Sequence, residues 1–372
     1  MVEVPERTAD AGPEFVTEAL RESGVIGGDT SVAEVEHEQI GVGVGIVGQL
    51  ARLSLRYRGQ ADGAPGSLVL KIPSEYPQNR AIGDHFGFYE REGRFYREIA
   101  GKLTLRTPRC YWNHLDPEAG RFGLLLEDLS GRVSISQVAG VGVDRATQAL
   151  TALARLHGSW WGNPALDGLE WMPRLDDPVN LSAGEQYRLA WPTFVTHFGD
   201  DLPPGAIDLG ERIQVAFEDL CRSGMREAPP TLCHGDYRID NLLYDDDAVE
   251  DDAVAVLDWQ ISYRGPAVTD VGYFICQSLD VEVRRHHEGR LVRGWYDALA
   301  DATGGAGGEV EGYPFELAWT QYRRSLLGTT VYPVTAGGAM DPANERGREL
   351  IAHMAERAFS AAIEQGSDEL LP

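Results

Sequence analysis

The stretch Leu232-Cys233-His234-Gly235-Asp236-Tyr237-Arg238-Ile239-Asp240-Asn241-Leu242-Leu243 leaves few folds open. Apolar residues lead into a tight polar turn and an apolar pair leads out, which reads as strand, loop, strand with polar side chains displayed on the loop. Asp258 follows seventeen positions after Asn241, at the end of the apolar run Ala253-Val254-Ala255-Val256-Leu257. Asp236, Asn241 and Asp258 are therefore short oxygen-bearing side chains at the mouths of adjacent strands. Singly, an Asp or Asn in a turn is ordinary turn chemistry. Together, at this spacing, they suit phosphoryl transfer. One carboxylate accepts the proton of a hydroxyl, and an amide with a second carboxylate holds magnesium.

His234-Gly235-Asp236 with Asn241, followed by Leu257-Asp258-Trp259, resembles the aminoglycoside phosphotransferase and choline kinase-like superfamily. Asp258-Trp259-Gln260, Phe95-Tyr96-Arg97-Glu98 and Leu126-Glu127-Asp128-Leu129 look most like its ecdysteroid-kinase-like branch. The His-Arg-Asp loop of protein kinases is departed from at Gly235. Eleven residues between Asp258 and Asp270 also leave no room for a segment that holds a peptide. The resemblance covers about residues 30–280. It implies an α+β, two-lobed, protein-kinase-like fold. A small N-terminal antiparallel sheet plus helix would form an ATP-binding lobe over 1–127. A larger, mainly helical lobe over 128–372 would carry catalysis and substrate, with ATP and magnesium in the cleft between.

The earlier segments can be read against that implication. Gly43, Gly45 and Gly48 fit G-x-G-x-x-G, but the next segment, Leu50 to Tyr57, alternates with period two. The glycines then join two strands rather than open a dinucleotide-binding helix, and their backbone can come close to phosphates. Lys71 stands alone in the apolar strand Ser67-Leu68-Val69-Leu70-Lys71-Ile72-Pro73. A lone buried ammonium is costly, so it is paired or functional; its place matches the kinase lysine that grips phosphates. The resemblance makes Glu92 its partner, on a helix expected over 86–100 that also carries Glu90 and Glu98. It places adenine on backbone groups of Glu127 and Leu129. It makes Asp236 the catalytic base, with His234 in the same loop buttressing it, and Asn241 and Asp258 the metal ligands. Gln260 stands where many relatives carry an acid. His157 and Asp270 are implied to support the loop.

At 372 residues the chain is long enough for two lobes. Its net charge of −25 disfavours nucleic acid and anionic membranes as partners. Cys110, Cys221, Cys233 and Cys276 form no C-x-x-C pair, which argues against a zinc site or disulfide framework. No apolar run reaches the roughly 18 residues of a membrane span, so a cytoplasmic protein is expected, its oligomeric state open. Residues 1–12 read as disordered. The expected function is ATP-dependent phosphorylation of a small-molecule hydroxyl. The aromatics Trp191, Phe194 and Phe198 with His197, and Trp319, Tyr322 and Tyr332, read either as core or as the wall of an apolar acceptor site. The alternatives are an aminoglycoside, sugar or amino-alcohol acceptor, or a nucleotide-binding module without catalysis.

Overall fold

The computed structural model describes residues 2–41, 47–248, 252–340 and 344–372. Gly43 and Gly45 lie outside the described residues. The chain divides into two compact units, Met1–Lys102 with Thr107–Arg132, and Leu103–Arg106 with Val133–Pro372.

The first unit is built on a five-stranded antiparallel sheet ordered β1-β2-β3-β5-β4. Its strands are β1 (Ser31–Ile40), β2 (Gly48–Arg58), β3 (Ser67–Pro73), β4 (Cys110–Asp116) and β5 (Arg121–Glu127). Helix α1 (Pro13–Glu22) opens with proline in its first turn, where the missing amide costs nothing. It lays Val16, Ala19 and Leu20 on Leu53, Leu68, Leu70, Ile72 and Trp112 to make the core. Side chains alternate along a strand, so Leu68, Leu70 and Ile72 face that core while Lys71 faces the other side of the sheet. Helices α2 (Pro77–His85) and α3 (Phe88–Arg94) follow β3, and α3 continues into a π-helical turn at Phe95–Ile99. The helix expected over 86–100 is thus present in two conformations.

The N-terminal segment is packed rather than disordered. Val2 and Ala11 are buried in the core. The Gln49 side chain also donates to the carbonyls of Glu6 and Pro73, at 3.0 and 2.9 Å.

The second unit is mainly helical. It contains a three-stranded sheet ordered β6-β8-β9 (β6, Val133–Ser134; β8, Leu242–Tyr244; β9, Val254–Val256) and a β7-β10 pair (β7, Thr231–Cys233; β10, Tyr263–Gly265). The helices are α4 (Val143–Ser159), α5 (Pro178–Leu181), α6 (Ala183–Phe198), α7 (Ala206–Glu227), α8 (Val268–Ser278), α9 (Val281–Ala302), α10 (Phe315–Thr329), α11 (Val331–Ala339) and α12 (Glu345–Glu364). Helix α8 is buried along nearly its whole length and forms the centre. No helix among the described residues is long and apolar enough to cross a membrane.

Candidate active site

In the second unit, β7 runs into the loop that carries His234 and Asp236, and β8 and β9 bring Asn241 beside Asp258. The Leu257 amide donates to the Asn241 carbonyl at 2.9 Å, which joins the two strand ends. Gly235 allows the turn. Its φ is +85°, and a Cβ there would run into the Ile261 carbonyl.

The loop is fixed from four directions. Asp270, in the first turn of α8, accepts from the His234 amide at 2.7 Å and the Gly235 amide at 2.9 Å. The buried Tyr237 hydroxyl donates to Ala149 on α4 at 2.8 Å. The Ile239 amide donates to Ser278 Oγ at the end of α8. Tyr332 on α11 donates to the Gly235 carbonyl at 2.6 Å. His157 stands behind Asp270, with Nε2 3.3 Å from its carboxylate, and accepts from Trp295 Nε1 on Nδ1. With the other ring nitrogen used by the indole, Nε2 carries the proton toward Asp270.

His234 is fully buried and both ring nitrogens are occupied by backbone. The Asp236 amide donates to Nδ1 at 3.2 Å, so the proton sits on Nε2, which donates to the Leu257 carbonyl at 2.9 Å. The ring therefore ties the loop to the end of β9. Trp259 packs edge-on against it, centroids 4.6 Å apart.

The Asp236 carboxylate has a hydrogen-bond donor at one oxygen and a cation at the other. Asn241 Nδ2 donates to Oδ2 at 2.9 Å and also to the Asp236 carbonyl. Arg238 Nε lies 3.1 Å from Oδ1. Since Asn241 turns its amide nitrogen to Asp236, its Oδ1 is left as an oxygen ligand. Asp258 is the one non-glycine residue among those described with positive φ, at +62°. Asp tolerates this left-handed conformation better than most residues, and such strain collects at functional positions. A neutral amide oxygen and a carboxylate from joined strand ends suit a hard divalent cation.

His157, Cys233 and Asp270 also place donor atoms within 4.8 Å of one another. Both Asp270 oxygens are already taken by backbone amides, and burial pushes the Cys233 thiol well above its usual range. The cluster is a hydrogen-bonded brace.

In the first unit Lys71 Nζ meets Glu92, 2.8 Å from Oε1 and 2.7 Å from Oε2, with both side chains buried. Glu90 and Glu98 pair instead with Arg94. Gly48 lies over the lysine, where a Cβ would come 3.8 Å from Lys71 Cε. Tyr89 on α3 donates to the Val47 carbonyl, tying the helix of Glu92 to the strand after the glycines. Glu127 ends β5, its amide bonded to the Arg109 carbonyl and its carboxylate to the Arg109 amide. Leu129 lies in the following turn, which Asp128 pins through Arg52 at 3.1 Å and Ser67 at 2.8 Å.

The aromatic set falls mostly into the core. Trp191, Phe194 and Phe198 are buried in a stack on α6, and Tyr322 is buried on α10. Tyr332 alone of that set hydrogen-bonds the loop that carries Asp236. Sequence reading missed Arg238 and Tyr237 as parts of the site, and it named Tyr332 for an acceptor wall without its bond to the Gly235 carbonyl. Tyr237 and Arg238 lay inside the motif, but nothing in their spacing separated function from filler.

Residues 53–316 match the model of the phosphotransferase enzyme family. An uncharacterized kinase-like protein of Caenorhabditis elegans is 27% identical over 218 residues, 55% of each chain, so the match spans about half of that relative. Choline kinase of Cryptosporidium parvum superposes with a TM-score of 0.58 at 12% identity, covering 96% of both chains. The GDP and kanamycin complex of an aminoglycoside phosphotransferase superposes with a TM-score of 0.53 at 13% identity, covering 95% of this chain and 99% of that one. At these identities the structural likeness is one of fold.

Proposed function

The chain belongs to the phosphotransferase enzyme family, and from that premise we propose that it transfers the γ-phosphate of ATP to a hydroxyl group of a small molecule. The observation that carries this reading is the Asp236 carboxylate, hydrogen-bonded by Asn241 and ion-paired with Arg238 on a loop braced by Asp270. Asp236 accepts the acceptor's proton and aims its oxygen at the phosphorus. His234, with both nitrogens committed to backbone, positions the loop and moves no proton. Lys71, held by Glu92, meets the phosphates, and the backbone at Gly48 approaches them. Backbone groups of Glu127 and Leu129 take the adenine. Asn241 Oδ1 and the Asp258 carboxylate would hold magnesium, which supplies neutralisation of phosphate charge. A cytoplasmic setting is part of this reading, supported by the use of ATP. The nucleotide in the aminoglycoside phosphotransferase complex supports a nucleotide donor.

For the acceptor we propose an alcohol with an apolar face, placed against Tyr332; with the α6 rings in the core, Tyr332 is the residue this assignment rests on. The test is turnover of ATP and magnesium by the purified chain with hydroxylated lipids and steroids, choline, ethanolamine, sugars and aminoglycosides. ADP release and product mass are the readouts. We expect phosphorylation of an apolar alcohol, lost by several powers of ten in Asp236→Ala while ATP still binds. No transfer to any acceptor would overturn the function. Phosphorylation of kanamycin-type compounds alone would overturn the acceptor class.

A further inference from the structure

Between Gly235 and Asn241 the chain alternates. Tyr237 and Ile239 are fully buried, while Asp236, Arg238 and Asp240 share the opposite side. The backbone at Arg238 is extended, φ −137° and ψ 161°, and in extended chain residues two apart point the same way. This geometry sets Asp236 and Arg238 side by side, and Asp240, in the 3-10 turn Ile239–Asn241, comes within 3.2 Å of Arg238 Nη1.

Arg238 is tethered along its length. Its Nε lies 3.1 Å from Asp236 Oδ1 and its Nη1 lies 3.2 Å from Asp240 Oδ2. Nη1 also donates to Gln137 Oε1. Gln137 is itself fixed, since its amide donates to Asp240 Oδ1 at 2.7 Å and its carbonyl accepts from the buried Arg357 at 2.6 Å. The guanidinium is a rigid fork with donors in a fixed plane. Anchored at the far end by Asp240 and Gln137, it presents Nε to Asp236 in one place. Burial disfavours the Arg238 charge, yet the facing Asp236, with Tyr273 and Asp240, holds its pKa above the usual arginine value. The cation is thus bound into the site.

An Asp carboxylate turns freely about Cβ–Cγ unless both oxygens are held. Asn241 hydrogen-bonds Oδ2, and the anchored Arg238 guanidinium stands 3.1 Å from Oδ1 as its counter-charge. We propose that Arg238 is a positioning residue for the transfer reaction, fixing the plane of the Asp236 carboxylate so that a lone pair stays aimed at the acceptor hydroxyl. This rests on Asp236 being the base, and nothing in the proposal has Arg238 touch nucleotide or acceptor.

The experiment compares wild type, Arg238→Met and Arg238→Lys in single-turnover transfer, with KM for ATP and acceptor measured separately, and adds a crystal structure of Arg238→Met. A misaimed group costs on the order of 10²-fold in rate. We expect kcat of Arg238→Met to fall about 10- to 100-fold with both KM values within about threefold of wild type. Arg238→Lys, which keeps the charge without the fork, should recover part of the loss, and it serves also if Arg238→Met does not fold. In the crystal the Asp236 carboxylate should be turned from its present plane. Unchanged kcat would overturn the proposal, as would a raised KM for ATP at constant kcat. If the wild type transfers no phosphate at all, the phosphotransferase reading fails on its own. The crystal structure still decides the pinning, and an unturned carboxylate would overturn it.

Discussion

Lys71 and Glu92 are the clearest case of a single residue constraining its surroundings. A lone lysine in an apolar strand had to find a partner, and the alternation of β3 put it on the α3 side of the sheet. Which glutamate it meets was not fixed by spacing alone, because Glu90, Glu92 and Glu98 lie on one short helical stretch. Burial decides it, since Glu92 faces the sheet while the other two reach Arg94. Breaking a buried pair from one side leaves its partner's charge uncompensated. Lys71→Met should therefore cost about 3–5 kcal/mol in urea unfolding. Adding Glu92→Leu should restore most of that stability, because an apolar pair of similar volume is often neutral or better. Transfer should stay lost in both variants. A double variant as unstable as Lys71→Met, or one that transfers phosphate, would contradict this account. Arg238 shows the other side of residue-scale reading. It sat in full view within the motif, but its role depends on Gln137 and Arg357, more than a hundred positions away in sequence.

Elements with a strict period were legible. β3 spans Ser67–Pro73 as the apolar run predicts, and the alternating stretch Leu50–Tyr57 lies within β2. Helix α11 received no bounds from the sequence, and it contains Pro333, Gly337 and Gly338, which are poor helix formers. The physical reason lies in packing. A Cβ at Gly338 would overlap Ala190 of α6, and one at Gly337 would come 2.9 Å from Phe194, so the glycines mark a close helix crossing. A pH dependence belongs to the turn after β5. Burial would push Asp128 upward, but the Ser67 hydroxyl, the Ser130 amide and Arg52 together hold it below the usual carboxylate range. A depressed folded value means the stabilisation is present above the unfolded value of about 3.9 and is lost as pH falls through the folded one. Urea titrations from pH 6 down to pH 2 should show a steeper acid loss in wild type than in Asp128→Asn. Parallel curves would remove Asp128 from the acid limb.

For the whole molecule, the sequence conveyed two parts of unequal size but misjudged the start of the chain. Residues 2–12 look polar and irregular, yet Val2 and Ala11 enter the core of the first unit and Gln49 ties down Glu6. Deleting residues 1–12 should cost roughly 2–3 kcal/mol from the lost apolar burial. That is a drop in Tm of about 4–12 °C by calorimetry, and a truncated chain that melts like the full one would refute it. The boundary drawn after Glu127 differs from the observed one after Arg132, and it missed the four residues Leu103–Arg106 that the second unit takes from the middle of the first. Within that unit the Val256 amide donates to the Arg106 carbonyl at 2.9 Å, and Arg106 also reaches Asp252 at 3.1 Å. This borrowed segment sets an order on birth at the ribosome. The whole first unit has been made once Arg132 emerges, but Arg106 must wait for β9, which is translated about 6–25 s later at ordinary speeds. Until then Leu103–Arg106 lacks the strand its Arg106 carbonyl bonds to in the finished chain.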